Sequence, residues 1–184
     1  MHEFTLKPDA AKILAALATF TAKDRPPLEA IGFDATHVVA TDTFAMATVP
    51  VGLIGTWDSA PDGIVAVPAA ALVAAVKTAR SNVVLTFGGA LVFVEGMAGT
   101  VTLATPERPY PDYRSLIPSD NDERCVPGAF NFTFLGKFGK LAQALKMDAL
   151  ELVCHKPASE LRAARVVAVH QQVDLGVVMP MRVG

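Results

Sequence analysis

The sequence predicts an α+β fold in which helices cover one face of antiparallel sheets. Three observations carry this prediction. Short β-branched or alternating runs are interrupted by three helical stretches, each helical stretch has an apolar stripe on one side, and the order strand, helix, three strands recurs three times in 184 residues. Two such units make one two-layer domain, so the chain is expected to hold a domain and a half. Residues 1–118 form the complete domain, as units 1–60 and 63–110 followed by a linker, and residues 127–184 form the half domain.

In the first unit, His2 to Leu6 alternates as a strand does, Pro8 marks a helix start, and Ile13, Leu14, Leu17 and Phe20 share a helical face. Gly32-Phe33-Asp34-Ala35 then turns between strands at Leu28 to Phe33 and His37 to Thr41, and Phe44 to Val51 runs extended to a Pro/Gly stop. The second unit opens with Ile64 to Val67, and Pro68 begins a helix whose buried face is Leu72, Val73 and Val76. Strands are expected at Asn82 to Phe87, Ala90 to Glu95 and Gly99 to Thr105, with Gly88-Gly89 as a hairpin turn. Pro106 to Pro127, with five prolines, reads as a linker. In the third unit, Ala129 to Thr133 leads into a helix carrying Phe134, Leu135, Phe138, Leu141 and Leu145. Strands at Ala149 to His155, Ala163 to His170 and Gly176 to Met181 complete the set.

Composition excludes several classes. With 52% hydrophobic and 18% charged residues, the chain is neither disordered nor collagen-like. Two cysteines, Cys125 and Cys154, are too few for a disulfide framework or a four-ligand zinc site and suit a reducing cytosol. The start, Met1-His2-Glu3-Phe4, lacks the regions of a secretory signal. No apolar run reaches the roughly 18 residues of a membrane span, so a cytoplasmic location without membrane contact is expected.

Catalytic chemistry finds no support in the spacing. Cys154 and His155 are adjacent, so in a strand they point to opposite faces and make no thiol–imidazole pair. His2, His37, His155 and His170 lack metal-ligand spacing, and Asp42 has no acidic neighbour and is expected to accept turn amides. Gly88-Gly89 sits in no GxGxxG or Walker pattern. The expectation is a non-enzyme without cofactor or metal.

The net charge of -2 hides a division. Over helical stretches 8–23, 68–80 and 132–147 the basic residues are Lys12, Lys23, Lys77, Arg80, Lys137, Lys140 and Lys146, and the one acid is Asp9 at a helix start. The rest of the chain is acidic. Positive helices backed by sheets suit screened, sequence-independent attraction to phosphates, and Lys137 and Lys140 are expected on the side away from the Phe134/Phe138/Leu141 stripe. No helix-turn-helix or stacking-aromatic signature supports base reading.

Three phrases carry a family resemblance: Val39-Ala40-Thr41-Asp42-Thr43-Phe44-Ala45-Met46-Ala47, Tyr110-Pro111-Asp112-Tyr113-Arg114-Ser115-Leu116-Ile117-Pro118, and Val177-Val178-Met179-Pro180-Met181-Arg182-Val183. In these phrases, and in their order, the chain resembles the bacterial DNA polymerase III beta subunit, the sliding clamp. Residues 1 to about 118 resemble its middle domain and residues 127–184 the second half of its last domain. The resemblance implies a DNA clamp fold, and a DNA replication processivity factor that encircles double-stranded DNA without sequence specificity.

It also implies a pocket for peptides of DNA polymerases and clamp loaders. The matching positions are Leu28, Thr41, Thr43, Phe44, Met46, Pro111, Ser115, Leu116, Asn131, Phe134, Val177, Met179, Pro180, Met181 and Arg182. Methionines suit varied apolar partners and Pro180 interrupts ladder pairing. Two cations of the family pattern are replaced, one by Phe44-Ala45 and one by Ser115, which makes the pocket more apolar and is expected to alter peptide preference. Four copies of a three-unit chain would match the units of a family ring, so a homo-oligomer is expected, a tetramer by that count. A peptide-binding adaptor or decoy that keeps the pocket without the ring is the alternative.

Overall fold

Alternation in the first residues, broken by Pro8, builds β1 (His2–Leu6) and leads into α1 (Ala10–Leu17), in the computed structural model, which describes residues 1–118, 129–154 and 163–180. The β-branched runs that follow become β2 (Ala30–Phe33), β3 (His37–Thr41) and β4 (Ala45–Pro50). A single helical turn, α2 (Val51–Ile54), and a short strand, β5 (Gly55–Trp57), come next. The second unit is β6 (Val65–Pro68), α3 (Ala69–Ala79), β7 (Val84–Gly88), β8 (Leu91–Gly96) and β9 (Gly99–Ala104). The third is α4 (Phe132–Ala144), β10 (Leu150–Val153), β11 (Ala164–Ala168) and β12 (Val173–Val178).

Several details depart from the sequence expectation. Leu28 closes a 3-10 turn, Pro26–Leu28, because two consecutive prolines withhold their amides from the sheet, so β2 starts at Ala30. α2 and β5 were not expected, being too short for a periodic signal. Among the described residues the third unit has no strand ahead of its helix: Asn131 is the N-cap of α4, its Oδ1 accepting the Thr133 amide at 2.9 Å. β12 begins at Val173, three residues before the expected start.

The described strands form two antiparallel sheets, in orders β5-β1-β7-β8-β9 and β10-β11-β12-β4-β3-β2-β6. The second sheet runs straight through the boundary expected at 118–127, because β12 pairs with β4 in the register Gly176↔Ala47, Val177↔Met46 and Val178↔Ala45. All three long helices lie on one side, with α1 touching both α3 and α4. Between helices and sheets lies a core that includes Phe4, Leu14, Leu72, Leu85, Phe138, Leu141 and Val178. Burying such side chains contributes roughly 1.5–3 kcal/mol each, before the opposing chain entropy.

The seven-stranded sheet is apolar on its other face as well. Ala30, Val39, Met46, Ala66 and Val177 point away from the helices and are covered by Tyr110, Tyr113 and Ile117 of the segment after β9. Gly32 makes this cover possible, since a Cβ there would stand 2.9 Å from Ile64, 3.0 Å from Val39 and 3.2 Å from Tyr110.

The β12–β4 contact depends on Gly176. Its φ of 136° is one that side-chain-bearing residues rarely adopt, and a Cβ would run into the Met46 carbonyl oxygen. Beside it the β11–β12 register slips between Val166↔Gly176 and Val167↔Asp174, which leaves Leu175 as an extra residue that twists β12 on to β4. Gly176→Ala is therefore expected to destabilise the fold by roughly 2–4 kcal/mol. Gly52→Ala, where nothing stands within 4 Å, is expected to shift stability by under about 0.5 kcal/mol. Urea denaturation of the two variants checks this, and a neutral Gly176→Ala would contradict the packing of β12 against β4.

Candidate functional site

The β3–β4 turn is built around Asp42. Its Oδ1 accepts the amides of Phe44 and Ala45, both at 2.9 Å, as expected of an aspartate in this turn. Thr41 adds a second brace, donating its hydroxyl to the Ala45 carbonyl and accepting the Thr43 amide at 3.1 Å. So held, Thr43 adopts a φ of 81° and Phe44 stands outward, 55% exposed. Beyond β12, the Met179 amide donates to the Phe44 carbonyl at 2.8 Å, extending the junction past the last ladder pair.

On the helix side, the same turn is locked to α4. The Asp42 Oδ2 accepts from Lys137 Nζ, with the two side chains only 13% and 19% exposed. Lys137 also lies over the rings of Phe20 and Phe134, 5.7 and 5.3 Å from their centroids. Phe44 stacks on Phe134 at 5.7 Å with planes 13° apart, and Phe20 meets Phe138 edge-on at 4.8 Å. One charge pair and four aromatic rings thus join the 3-10 turn Ala18–Phe20 that follows α1, the β3–β4 turn and α4.

A cleft of about 960 Å³ opens on the sheet face away from the helices. Its floor is Met46, Val177 and Met179. One bank is Thr41, Thr43, Phe44 and Ala45 of the turn with Leu28, and the other is Pro109, Pro111, Ser115, Leu116, Ile117 and Pro118 of the covering segment. The volume is at the upper end of the ~300–1,000 Å³ range of ligand sites. The sequence places ten of these residues together: Leu28, Thr41, Thr43, Phe44, Met46, Pro111, Ser115, Leu116, Val177 and Met179.

Others fall elsewhere. Phe134 sits behind Phe44 and Asn131 caps α4, so both support the cleft without lining it. Pro180 is partly buried outside the lining, and Met181 and Arg182 lie outside the described residues, as do Cys125 and His155. Arg25, Pro27, Pro109, Ile117, Pro118 and Ala163 also line the cleft and were missed. The Pro26-Pro27 pair directly before Leu28 was the available signal for the first two; nothing in the sequence pointed to Ala163.

The covering segment is pinned by Asp34, which is 2% exposed. Oδ1 accepts the amides of Thr36 at 2.7 Å and His37 at 2.8 Å and the Thr36 hydroxyl at 3.0 Å. Oδ2 accepts the Tyr113 hydroxyl and the Arg114 guanidinium, each at 2.7 Å, while the Asp34 carbonyl accepts the Trp57 indole N–H at 3.0 Å. Burial disfavours the Asp34 charge, but the Tyr113 hydroxyl and the Thr36 and His37 groups outweigh it and hold its pKa below the ordinary carboxylate value. Burial, together with Asp34 as neighbour, pushes the Tyr113 hydroxyl well above its ordinary range.

The cationic residues divide. Lys12, Lys77 and Lys140 are exposed on α1, α3 and α4, and Lys23 and Arg80 are exposed just beyond α1 and α3. Lys146 is exposed but donates to Asp9 at 2.7 Å. Lys137 turns towards the Phe134 ring rather than away from it, because Asp42 is within its reach and the turn amides leave one oxygen of that carboxylate to fill. Within the bounds of α1, α3 and α4 there is no acidic residue. Among the described residues no cluster of three metal-ligating side chains occurs, and no helix is long and apolar enough to cross a membrane.

Two antiparallel sheets with one row of helices, and a cleft on the opposite sheet face, define the DNA clamp class of fold. The particular fold is that of the bacterial sliding clamp. The chain superposes on a DNA polymerase sliding clamp from Pseudomonas aeruginosa with a TM-score of 0.72 and 15% identity, covering 98% of this chain and 66% of that one. It superposes on the DNA polymerase III subunit beta from Borrelia burgdorferi with a TM-score of 0.72 and 12% identity, covering 99% and 63%. At these identities the likeness establishes the fold, and the chain spans slightly less than two thirds of either protein. No protein-family model and no curated protein matches the sequence.

The Asp34 hub makes stability acid-sensitive. A carboxylate whose pKa is lowered by folding contributes stability above its unfolded value, about 3.9, and that contribution is lost as pH falls through the lower folded value. Wild-type urea midpoints are expected to drop below about pH 4, and Asp34→Asn to flatten the drop while costing about 1–3 kcal/mol at neutral pH. Equal pH profiles for the two proteins would remove Asp34 as the cause.

Proposed function

We propose that this protein is a sliding-clamp-like processivity factor, which encircles duplex DNA as a homo-oligomer and binds polymerase and clamp-loader peptides in the cleft. The observation that carries the reading is the division of one sheet into two working faces. Exposed lysines on helices that hold no acid within their bounds stand on one side, and an apolar cleft of peptide size opens on the other. A tether for a DNA enzyme needs both surfaces at once, and needs them kept apart. The role is binding rather than catalysis.

The lysine face supports a sequence-independent contact. The helices present Ala70, Ala74, Thr78, Thr133 and Gly136 to solvent between the lysines, a surface with few groups able to read bases. The adaptor reading is favoured by a different observation: the cleft is lined within one chain, so peptide binding does not require a ring.

Retention on DNA separates the two. A ring is expected to stay on nicked circular DNA and to run off the same DNA once linearised; an adaptor is retained on neither, with peptide binding intact. Reversing Lys12, Lys77 and Lys140 together to Glu is expected to weaken DNA association and to lower its log–log salt slope by roughly 0.9 for each phosphate that is no longer neutralised. Peptide binding should not change. Lys137 is left out of this set because its reversal would break the ion pair with Asp42 that shapes the cleft. Unaltered DNA association and salt slope in the triple variant would overturn the placement of DNA on the helix face.

A further inference from the structure

Among the described residues of α1, α3 and α4, one large apolar side chain stands in solvent: Phe132, the first residue of α4, which is 84% exposed. It belongs neither to the core nor to the cleft lining. A phenylalanine in water forgoes the gain of burial, and the helix does not need it as a cap, because Asn131 supplies one. Helical spacing sets Phe132 in a stripe with Gly136, Lys140 and Gln143, all exposed and within an arc of about 80° on the side opposite Phe138 and Leu141.

The stripe has an aromatic face at one end and a cation towards the other. Phe132 and Lys140 are eight positions apart, about 12 Å along the helix axis. The path between them is open, since nothing stands within 4 Å of where a Cβ would sit on Gly136. Lys140 has no ion-pair partner among the described residues, and no acid lies within α4. Gln143 adds an exposed amide. An apolar protein surface would find one apolar side chain here, beside a charge it would have to desolvate. A polyanion that carries aromatic faces complements both ends of the stripe. In a duplex each base is covered by its neighbours, so only an unpaired nucleotide has a face to offer Phe132.

We propose that the outer stripe of α4 is a contact site for single-stranded DNA, in which an unpaired base stacks on Phe132 and the phosphate chain passes over Gly136 to Lys140. This goes beyond the duplex contact proposed above, needs neither a ring nor the cleft, and takes from that reading only the choice of DNA. Every base has a face that can stack, so the contact is indifferent to sequence.

The test titrates the full chain at low salt against short end-labelled oligonucleotides by fluorescence anisotropy: oligothymidine, the same phosphate chain without bases, and oligouridine. Oligothymidine is expected to bind at least roughly fivefold more tightly than the base-free chain. Phe132→Ala and Phe132→Leu, both surface changes, are expected to remove that margin and to leave base-free binding unaltered. Phe132→Trp should keep the margin, with the added indole fluorescence quenched by oligothymidine. Lys140→Gln should lower the log–log salt slope by roughly 0.7 for both chains. Equal binding of the base-free chain, a margin that survives Phe132→Ala, or no binding of oligothymidine overturns the site. Tighter binding of oligouridine overturns the choice of DNA, and a Phe132→Ala effect confined to self-association in analytical ultracentrifugation overturns the proposal in favour of a second copy of this chain. The duplex reading is scored apart, by the Lys12, Lys77 and Lys140 reversal on double-stranded DNA.

Discussion

The pairing of β12 with β4 is the contact on which the rest of the molecule depends. It joins strands more than 120 positions apart in sequence, and three residue pairs hold it. Without it the third unit would expose the strand edge of β12, and β4 would become an edge with free amides and carbonyls. A close backbone approach is required, and Gly176 permits it where any Cβ would meet the Met46 carbonyl. The Asp42–Lys137 pair and the Phe44–Phe134 stack close the same junction from the helix side. Because Met46 and Val177, partners in that pairing, are also the floor of the cleft, the site exists only where the two units are joined.

A sheet that is apolar on both faces needs two covers. On one face the helices bury alternate residues such as Val38, Ala40, Ala45 and Ala47, and on the other Tyr110 and Tyr113 lie over Val39 and Met46. The second cover is only a segment without a regular element apart from one 3-10 turn, so it must be fastened. Asp34 fastens it by satisfying both carboxylate oxygens within a buried network, which is the condition for a buried charge to be tolerated. The edge of this cover is one bank of the cleft. Loosening at Asp34 would therefore reach the cleft through Tyr113 and Arg114 to Ser115 and Leu116, a few positions along the chain.

Local signals in the sequence carried most of the elements, and non-local ones did not. Alternation and β-branching located β1, β3 and β7 to β9, and the stripes Ile13/Leu14/Leu17 and Phe138/Leu141 located α1 and α4. The apolar phrases around Thr41 to Met46 and at Val177 and Met179 located most of the cleft. Hidden from sequence were the meetings of distant residues. Asp34 reads as a turn residue because its partners Tyr113 and Arg114 lie about eighty positions away. Lys137 reads as a solvent-facing lysine because helical spacing says nothing of an aspartate on another element. Gly176 reads as one glycine among thirteen until its neighbour across the sheet is known.

The inward turn of Lys137 bears on how the proposed clamp would hold DNA. With Lys137 bound to Asp42 and Lys146 to Asp9, each of the three helices keeps one exposed lysine without such a partner: Lys12, Lys77 and Lys140. If these three and the exposed Lys23 and Arg80 just beyond α1 and α3 each met one phosphate, the salt slope for one copy would be roughly 4.5, below that of proteins that grip DNA by charge alone. A single copy would therefore bind duplex DNA weakly at physiological salt. Durable attachment has to come from several copies acting together or from topological closure, and weak contacts of this kind let an enclosing protein move along the duplex instead of sticking to it. For the proposed clamp, so few free cations among the described residues of the helix face agree with a tether that slides, and would place the burden of retention on assembly.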